Sequence, residues 1–318
     1  MTGWMRHWVK FFAAIGIAAG LTACGGDDDD PPPPGNIVQV AQANGFNALA
    51  AAATKAGLVA TLTDANANLT VFAPTDAAFA TLATQLGYTD ATAMVNALPA
   101  NALANILTYH VLPAKKTSSM LTAGAQATAY TYNGAPATFT LSTTGGVSIT
   151  DAVLTTAKVT TADVPASNGV IHVIDKVLVP PGVLNIVQMA QANPAFTTLV
   201  GAVVSANLQA TLSGAGPFTV FAPTNDAFAA IASTVAGLTT PQLAQVLTYH
   251  VLASQVLAAD IPFGTPVTTV EGETITINAG TPPTITDTTA TPAPIVATDV
   301  RASNGVIHVI SKVLIPSL

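Results

Sequence analysis

The sequence predicts two tandem domains, each mixing helices with short strands. Three observations carry this reading. VPASNGVIHVIDKVLVP (Val164 to Pro180) returns as VRASNGVIHVISKVLIP (Val300 to Pro316) with three changes in seventeen positions. Three further blocks recur in the same order. NIVQVAQANGFNAL (Asn36 to Leu49) returns as NIVQMAQANPAFTTL (Asn185 to Leu199), TVFAPTDAAFA (Thr70 to Ala80) as TVFAPTNDAFA (Thr219 to Ala229), and ILTYHVL (Ile106 to Leu112) as VLTYHVL (Val246 to Leu252). The repeat length, roughly 140 residues, is that of a domain and not of a solenoid unit.

Residues 1–23 read as a targeting segment. Arg6 and Lys10 give a positive start, and the apolar run Phe11 to Ala23 is thirteen residues long. A membrane span needs about 20, so a signal peptide fits better. It ends in Leu21-Thr22-Ala23-Cys24, similar to the lipobox of bacterial lipoproteins, which implies that Cys24 is lipidated and becomes the mature N-terminus. Cys24 is the sole cysteine, so no intramolecular disulfide forms. Residues 24–35 hold four aspartates and four prolines in succession. Such a segment packs no core and extends as a stiff tether, at about 3.1 Å per residue along the prolines. Gly25 stands where an inner-membrane retention signal would place Asp, which favours the outer membrane.

The first domain spans 36–180. Ile37, Val40 and Ala41, then Phe46, Leu49 and Ala50, fall at helical spacing. Val71-Phe72-Ala73 is a strand stopped by Pro74. Thr75 reads as a helix N-cap, with Asp76 in the first turn against the positive helix end. Leu103, Ile106 and Leu107 mark a helix face that ends near Tyr109-His110. From Ala127 to Thr160 the pattern is short Thr-rich strands with Asn133-Gly134 and Gly145-Gly146 turns. In the leading repeat, Ser-Asn-Gly supplies a turn through the tolerance of Asn and Gly for positive φ. Val170 to Leu178 then forms a strand buried on both faces and central in its sheet. Val179 to Val183 is a short, stiff joint that restricts relative motion. The second domain spans 184–316, with strands again between Gly264 and Ala297. The offset between copies falls by nine residues between the second and third blocks, so copy 1 carries a longer helical insert there.

The order TVFAPT-D-AF, YHVL, NGVIHVIDKVL resembles the fasciclin domain family, twice, over almost all of the chain after residue 35. That resemblance implies an α+β fold for each domain, a twisted β-wedge or sandwich with packed helices. It also implies adhesion or protein interaction and not catalysis. Tyr109-His110 and Tyr249-His250 match the family's Tyr-His motif, linked in animal members to integrin-dependent adhesion. Asp163-Val164 and Asp299-Val300 occupy the place of its Asp-aliphatic adhesion pair, with Val for the usual Ile and with Pro165 or Arg301 following. These eight residues are the candidate partner contacts.

Composition fits an exported protein. Charged residues make up 8% of the chain, against roughly 25% in ordinary soluble chains. From Cys24 onward seven basic and sixteen acidic residues give a net charge near −9. No basic patch exists, which argues against nucleic acid. There is no phosphate loop, nucleophile elbow or HExxH. His110, His172, His250 and His308 have no partner at metal-ligand spacing, and no metal or cofactor is expected. His172, inside a strand, reads as a core histidine with one satisfied hydrogen bond, and Asp163 as a turn residue. The expected role is thus a lipid-anchored envelope or cell-surface protein, probing an extracellular protein, matrix or polysaccharide. The alternative is a glycan- or small-ligand-binding envelope lipoprotein, which a pocket lined by aromatics would favour.

Overall fold

The computed structural model describes residues 33–318. The predicted signal peptide, Cys24 and most of the tether lie outside the described residues. Among the described residues, no helix is long and apolar enough to cross a membrane.

Helix α1 (Ile37–Ala43) starts from a capping box. The Asn36 side chain accepts from the Gln39 N–H at 3.0 Å, and the Gln39 side chain accepts from the Asn36 N–H at 2.9 Å. Then come α2 (Asn47–Lys55), α3 (Val59–Thr63) and β1 (Leu69–Pro74). Thr75 caps α4 (Asp76–Gln85) as the sequence predicts, accepting from the Ala78 N–H at 3.2 Å. The Asp76 carboxylate also ties this helix start to α2, accepting from the Ala48 N–H at 2.9 Å. Helices α5 (Ala91–Ala97) and α6 (Ala100–Tyr109) follow, the latter burying Leu103, Ile106 and Leu107. The strands are β2 (Val111–Leu112), β3 (Gly124–Tyr132), β4 (Ala135–Ser142), β5 (Ser148–Thr150), β6 (Thr156–Ala166) and β7 (Gly169–Ile174). Asn133 and Gly134, both at positive φ, turn β3 into β4.

The second domain repeats this order. Its helices α7 (Ile186–Gln191), α8 (Thr197–Ser205) and α9 (Gln209–Ser213) precede β8 (Phe218–Pro223). After them come α10 (Asn225–Ala229), α11 (Ala232–Ala236) and α12 (Thr240–Tyr249). The strands β9 (Val251–Leu252), β10 (Pro266–Thr268), β11 (Thr274–Asn278), β12 (Thr284–Thr286), β13 (Ala293–Ala302) and β14 (Gly305–Ile310) complete it. The longer helical insert of copy 1 is α4 and α5, with ten and seven residues against five and five in α10 and α11.

Each domain has a seven-stranded sheet, in the orders β2-β1-β7-β6-β5-β4-β3 and β10-β11-β12-β13-β14-β8-β9. The pairs β1–β7 and β8–β14 are parallel and the rest antiparallel. The repeated GVIHVI strand is central, as predicted, but it ends at Ile174 and not at Leu178. Asp175 makes the last contact to β6, its carboxylate accepting from the Lys158 N–H at 2.7 Å, and the chain then bends out of the sheet.

The Ser-Asn-Gly turn works differently from its sequence reading. Asn168 is not at positive φ. Gly169 is required by close approach, because a Cβ there would lie 2.3 Å from the Leu69 carbonyl oxygen on the neighbouring strand. Gly305 is in the same position against the Phe218 carbonyl, at 2.1 Å. The Asn168 side chain, buried, works as a clamp: it accepts from the Ile37 N–H at 3.0 Å and donates to the Leu62 and Asp64 carbonyls at 2.9 and 3.0 Å. Asn304 makes the matching contacts to Ile186, Leu212 and Gly214.

Among the described residues, three apolar clusters form the core. One fills the curl of the first sheet and is aromatic: Phe72, Tyr109, Tyr130 and Phe139 meet edge-on with centroids 5.4 to 6.3 Å apart. Its counterpart in the second sheet is built mainly of isoleucines 275, 277, 285 and 295 around Phe221 and Tyr249. The third lies between sheets and helices and runs unbroken through both domains. The joint is pinned at its middle, where the Gly182 N–H donates to the Arg301 carbonyl at 2.8 Å and the Tyr130 hydroxyl donates to the Pro181 carbonyl at 3.1 Å. Asn193 of the second domain donates to the Val153 carbonyl of the first at 2.7 Å.

Candidate functional site

The Tyr-His pairs lie inside the fold. Tyr109 ends α6 with its ring in the curl of the sheet, and its hydroxyl donates to the Thr138 carbonyl at 2.9 Å. Burial pushes the phenol well above its ordinary range. His110 caps the same helix. Its Nδ1 faces the Ile106 carbonyl at 2.7 Å, and its Nε2 accepts from the Leu178 N–H at 2.8 Å. Those partners require a neutral ring protonated on Nδ1. Burial holds its pKa down at about 4. Tyr249 and His250 repeat the arrangement with Thr274, Val246 and Leu314, at 3.1, 2.8 and 2.8 Å. Burial likewise pushes Tyr249 up to about 12 and His250 down to about 4. Both pairs spend their polar atoms on main chain, because an apolar core leaves no other way to satisfy them.

The Asp-Val pairs lie at a surface corner. Asp163 is not in a turn. It is the bulged residue of β6, at φ 61°, where the β6–β7 register shifts between Thr161 and Val164. Asp299 stands at the same bulge of β13, at φ 60°. Asp163 is exposed, Asp299 and Val164 half-buried, and Val300 buried. The Asp163 carboxylate accepts from the Ser118 N–H at 2.7 Å and from the Ser118 hydroxyl. Those two donors hold its carboxyl below the usual range. In the second domain Ala258 replaces Ser118: its N–H donates to Asp299 at 2.9 Å, and Arg301 stands 4.0 Å from the carboxylate.

His172 is the floor of the first corner, with two hydrogen bonds where the sequence reading expected one. Its Nδ1 accepts from the Asp163 N–H at 3.2 Å, and its Nε2 meets the Lys116 carbonyl at 3.0 Å. The bulge, the Lys116–Ser118 segment and the buried ring thus close one loop of hydrogen bonds. His308 does the same with Asp299 and Val256, at 3.4 and 2.8 Å. Each Asp is therefore presented in one fixed orientation.

Sequence reading missed a pair of buried carboxylates. Asp151 accepts from the N–H groups of Val153, Thr155 and Val179 at 3.2, 2.9 and 2.9 Å, and burial raises its pKa to about 6. Asp287 has a cation, Lys312, at 3.0 Å. Burial pushes Asp287 up, but its Thr289, Ile315 and Lys312 donors outweigh this and hold it below the usual range. Among the described residues no group of three or more His, Cys, Asp or Glu gathers as a metal site.

Two modules of seven-stranded sheet and covering helices, each presenting one braced aspartate, make this a tandem-domain protein of mixed α+β class. The Fasciclin domain model matches residues 44–180 and 194–316, and the chain belongs to that family. It is 44% identical over 142 residues to Protein sll1483 of Synechocystis, covering 42% of this chain and 75% of that protein. It is 32% identical over 257 residues to transforming growth factor-beta-induced protein ig-h3 of Sus scrofa, covering 78% of this chain but only 35% of the relative. A solved FAS1 domain pair from the insect cell adhesion molecule Fasciclin I aligns over 87% of this chain and 94% of that one, at 16% identity and a TM-score of 0.43.

Proposed function

We propose that this protein is a non-enzymatic adhesion or interaction protein, held at the outer membrane through lipidated Cys24, with the Asp163 and Asp299 corners as its contacts. The observation that supports it most is the corner itself: an aspartate at positive φ, braced from behind by a buried histidine and set at the same register in both domains. The Tyr-His pairs hold the fold and reach no partner directly. Two corners on one joined body let weak contacts act together. The partner is an extracellular protein, matrix or polysaccharide.

The test coats a surface with the protein and measures retention of cells, matrix proteins and polysaccharides under flow. Asp163→Asn with Asp299→Asn, which remove the charges but keep the shape and the tolerance for positive φ, are expected to abolish retention while shifting the melting temperature by only a few degrees. Retention unaffected by that double variant would move the contact elsewhere, and no retention of any partner would end the adhesion reading. Protease shaving of intact cells settles which way the domains face.

A second reading, a glycan-binding lipoprotein, is favoured by one feature. A cleft of about 440 Å³ opens where the domains meet, with Tyr88, Asn101, Asn105, Gln188 and Ser303 set among apolar residues such as Leu98, Pro99, Val183 and Leu184. Amides, a hydroxyl and a single ring without charge suit a neutral sugar. Tyr88→Ala with Asn101→Ala would remove polysaccharide retention on this reading and spare it on the first.

A further inference from the structure

The two domains carry the same apolar cavity in different states of filling. In the first it lies between α1, α2, α3 and α6 and holds about 100 Å³. Its wall includes Ile37, Leu49, Ala50, Ala53, Leu62 and Leu107, and no polar atom faces it. In the second, the corresponding space between α7, α8 and α12 is about 30 Å³. Aligned on Leu49 and Leu199, Ala50 and Ala53 of α2 correspond to Val200 and Val203 of α8, and both valines line the smaller space. The two added pairs of methyl groups occupy space that Ala50 and Ala53 leave open in the first domain. The first domain thus keeps open a space that its own sister closes with ordinary core residues.

Empty apolar space destabilises a fold. A dry cavity of about 150 Å³ takes benzene or xenon, so this one has room for a few carbons. It is not sealed: Thr61 and Ala129 are exposed at its rim, and Val38 and Ala50 are half-buried. An open mouth over a wholly apolar interior suits the end of a longer molecule whose polar part stays in water. The first turn of α1 forms one side of it, and Ile37 there follows Cys24 by thirteen residues in the sequence. We infer that the first domain binds the aliphatic end of an amphiphile, a fatty-acyl chain, in this cavity, and that the second domain does not.

The test titrates octanoate into the full chain and follows Leu and Val methyl groups by NMR. Saturable shifts are expected at Val38, Leu49, Leu62, Val71 and Leu107, with none at Val200, Val203 or Leu247. Ala50→Val with Ala53→Val is expected to weaken binding at least tenfold and to raise the melting temperature by a few degrees. Val200→Ala with Val203→Ala is expected to create a second site, which reads the same inference should the first variant fail to fold. Cys24→Ser separates the two sources of acyl chain. If the protein's own lipid fills the cavity, octanoate binds only after that substitution; if a free amphiphile fills it, octanoate binds the intact chain as well. Absence of shifts in both forms, or equal affinity in the filled variant, overturns the inference.

Discussion

The N–H of Leu178 donates to Nε2 of His110 at 2.8 Å, across 68 residues of sequence. The bond joins the end of α6 to the segment that leaves the central strand, and Leu314 and His250 make the same bond in the second domain. A motif that reads as a surface contact is therefore a latch between helix and sheet.

Removing the latch leaves a buried donor unpaired. His110→Ala is expected to lower stability by roughly 2–4 kcal/mol, since an orphaned buried N–H alone costs about 1–3. Urea denaturation measures it, and a loss under about 1 kcal/mol would mean that the latch carries no weight.

Acid should open both latches. His110 and His250 sit at about 4 when folded, below the ordinary 6.5. Their contribution is fully present above pH 6.5 and is lost as pH falls towards 4, at roughly 3 kcal/mol each. Asp151 runs the other way. Raised from 3.8 to about 6, its contribution is complete below 3.8 and is lost as pH rises through 6, again by roughly 3 kcal/mol. Two histidines outweigh one carboxylate, and His308, also held down by burial, adds to the same side, so stability should fall by at least roughly 3 kcal/mol from pH 7 to 4. Asp151→Asn should steepen that slope in melts across the range, and an unchanged slope would remove Asp151 from the account.

The Asn168 clamp makes three hydrogen bonds from a buried side chain. Asn168→Ala is expected to cost roughly 2–4 kcal/mol. Asn168→Asp, though nearly identical in shape, should do no better, because it sets a carboxylate against the Leu62 and Asp64 carbonyls. Near-native stability of the Asp variant would show that shape, and not hydrogen bonding, is what the site needs.

At the joint, Gly182 has φ 74°, and a Cβ would lie 2.1 Å from the Tyr132 ring. Gly182→Ala should cost roughly 1–3 kcal/mol and weaken the bond to Arg301. Calorimetry should show one transition for the native protein, whose helical core is continuous across the domains, and two for the variant. A single unchanged transition would show that the joint does not couple the domains.

The sequence alone determined what depends on local periodicity and repetition. The duplication, the capped helix start at Thr75, the Asn133-Gly134 hairpin and the GVIHVI strand follow from hydrogen bonding and side-chain spacing within a few residues. Tertiary structure decided the roles of the polar residues in the repeated motifs. His110 and Asn168 find their partners 68 and more than 100 residues away, and Gly169 is needed because another strand's carbonyl stands where its Cβ would be. No short-range pattern encodes such partners. The same holds for the cavity: Ala50 and Ala53 look like ordinary helix residues until the packing of four elements leaves space beside them that Val200 and Val203 fill in the sister domain.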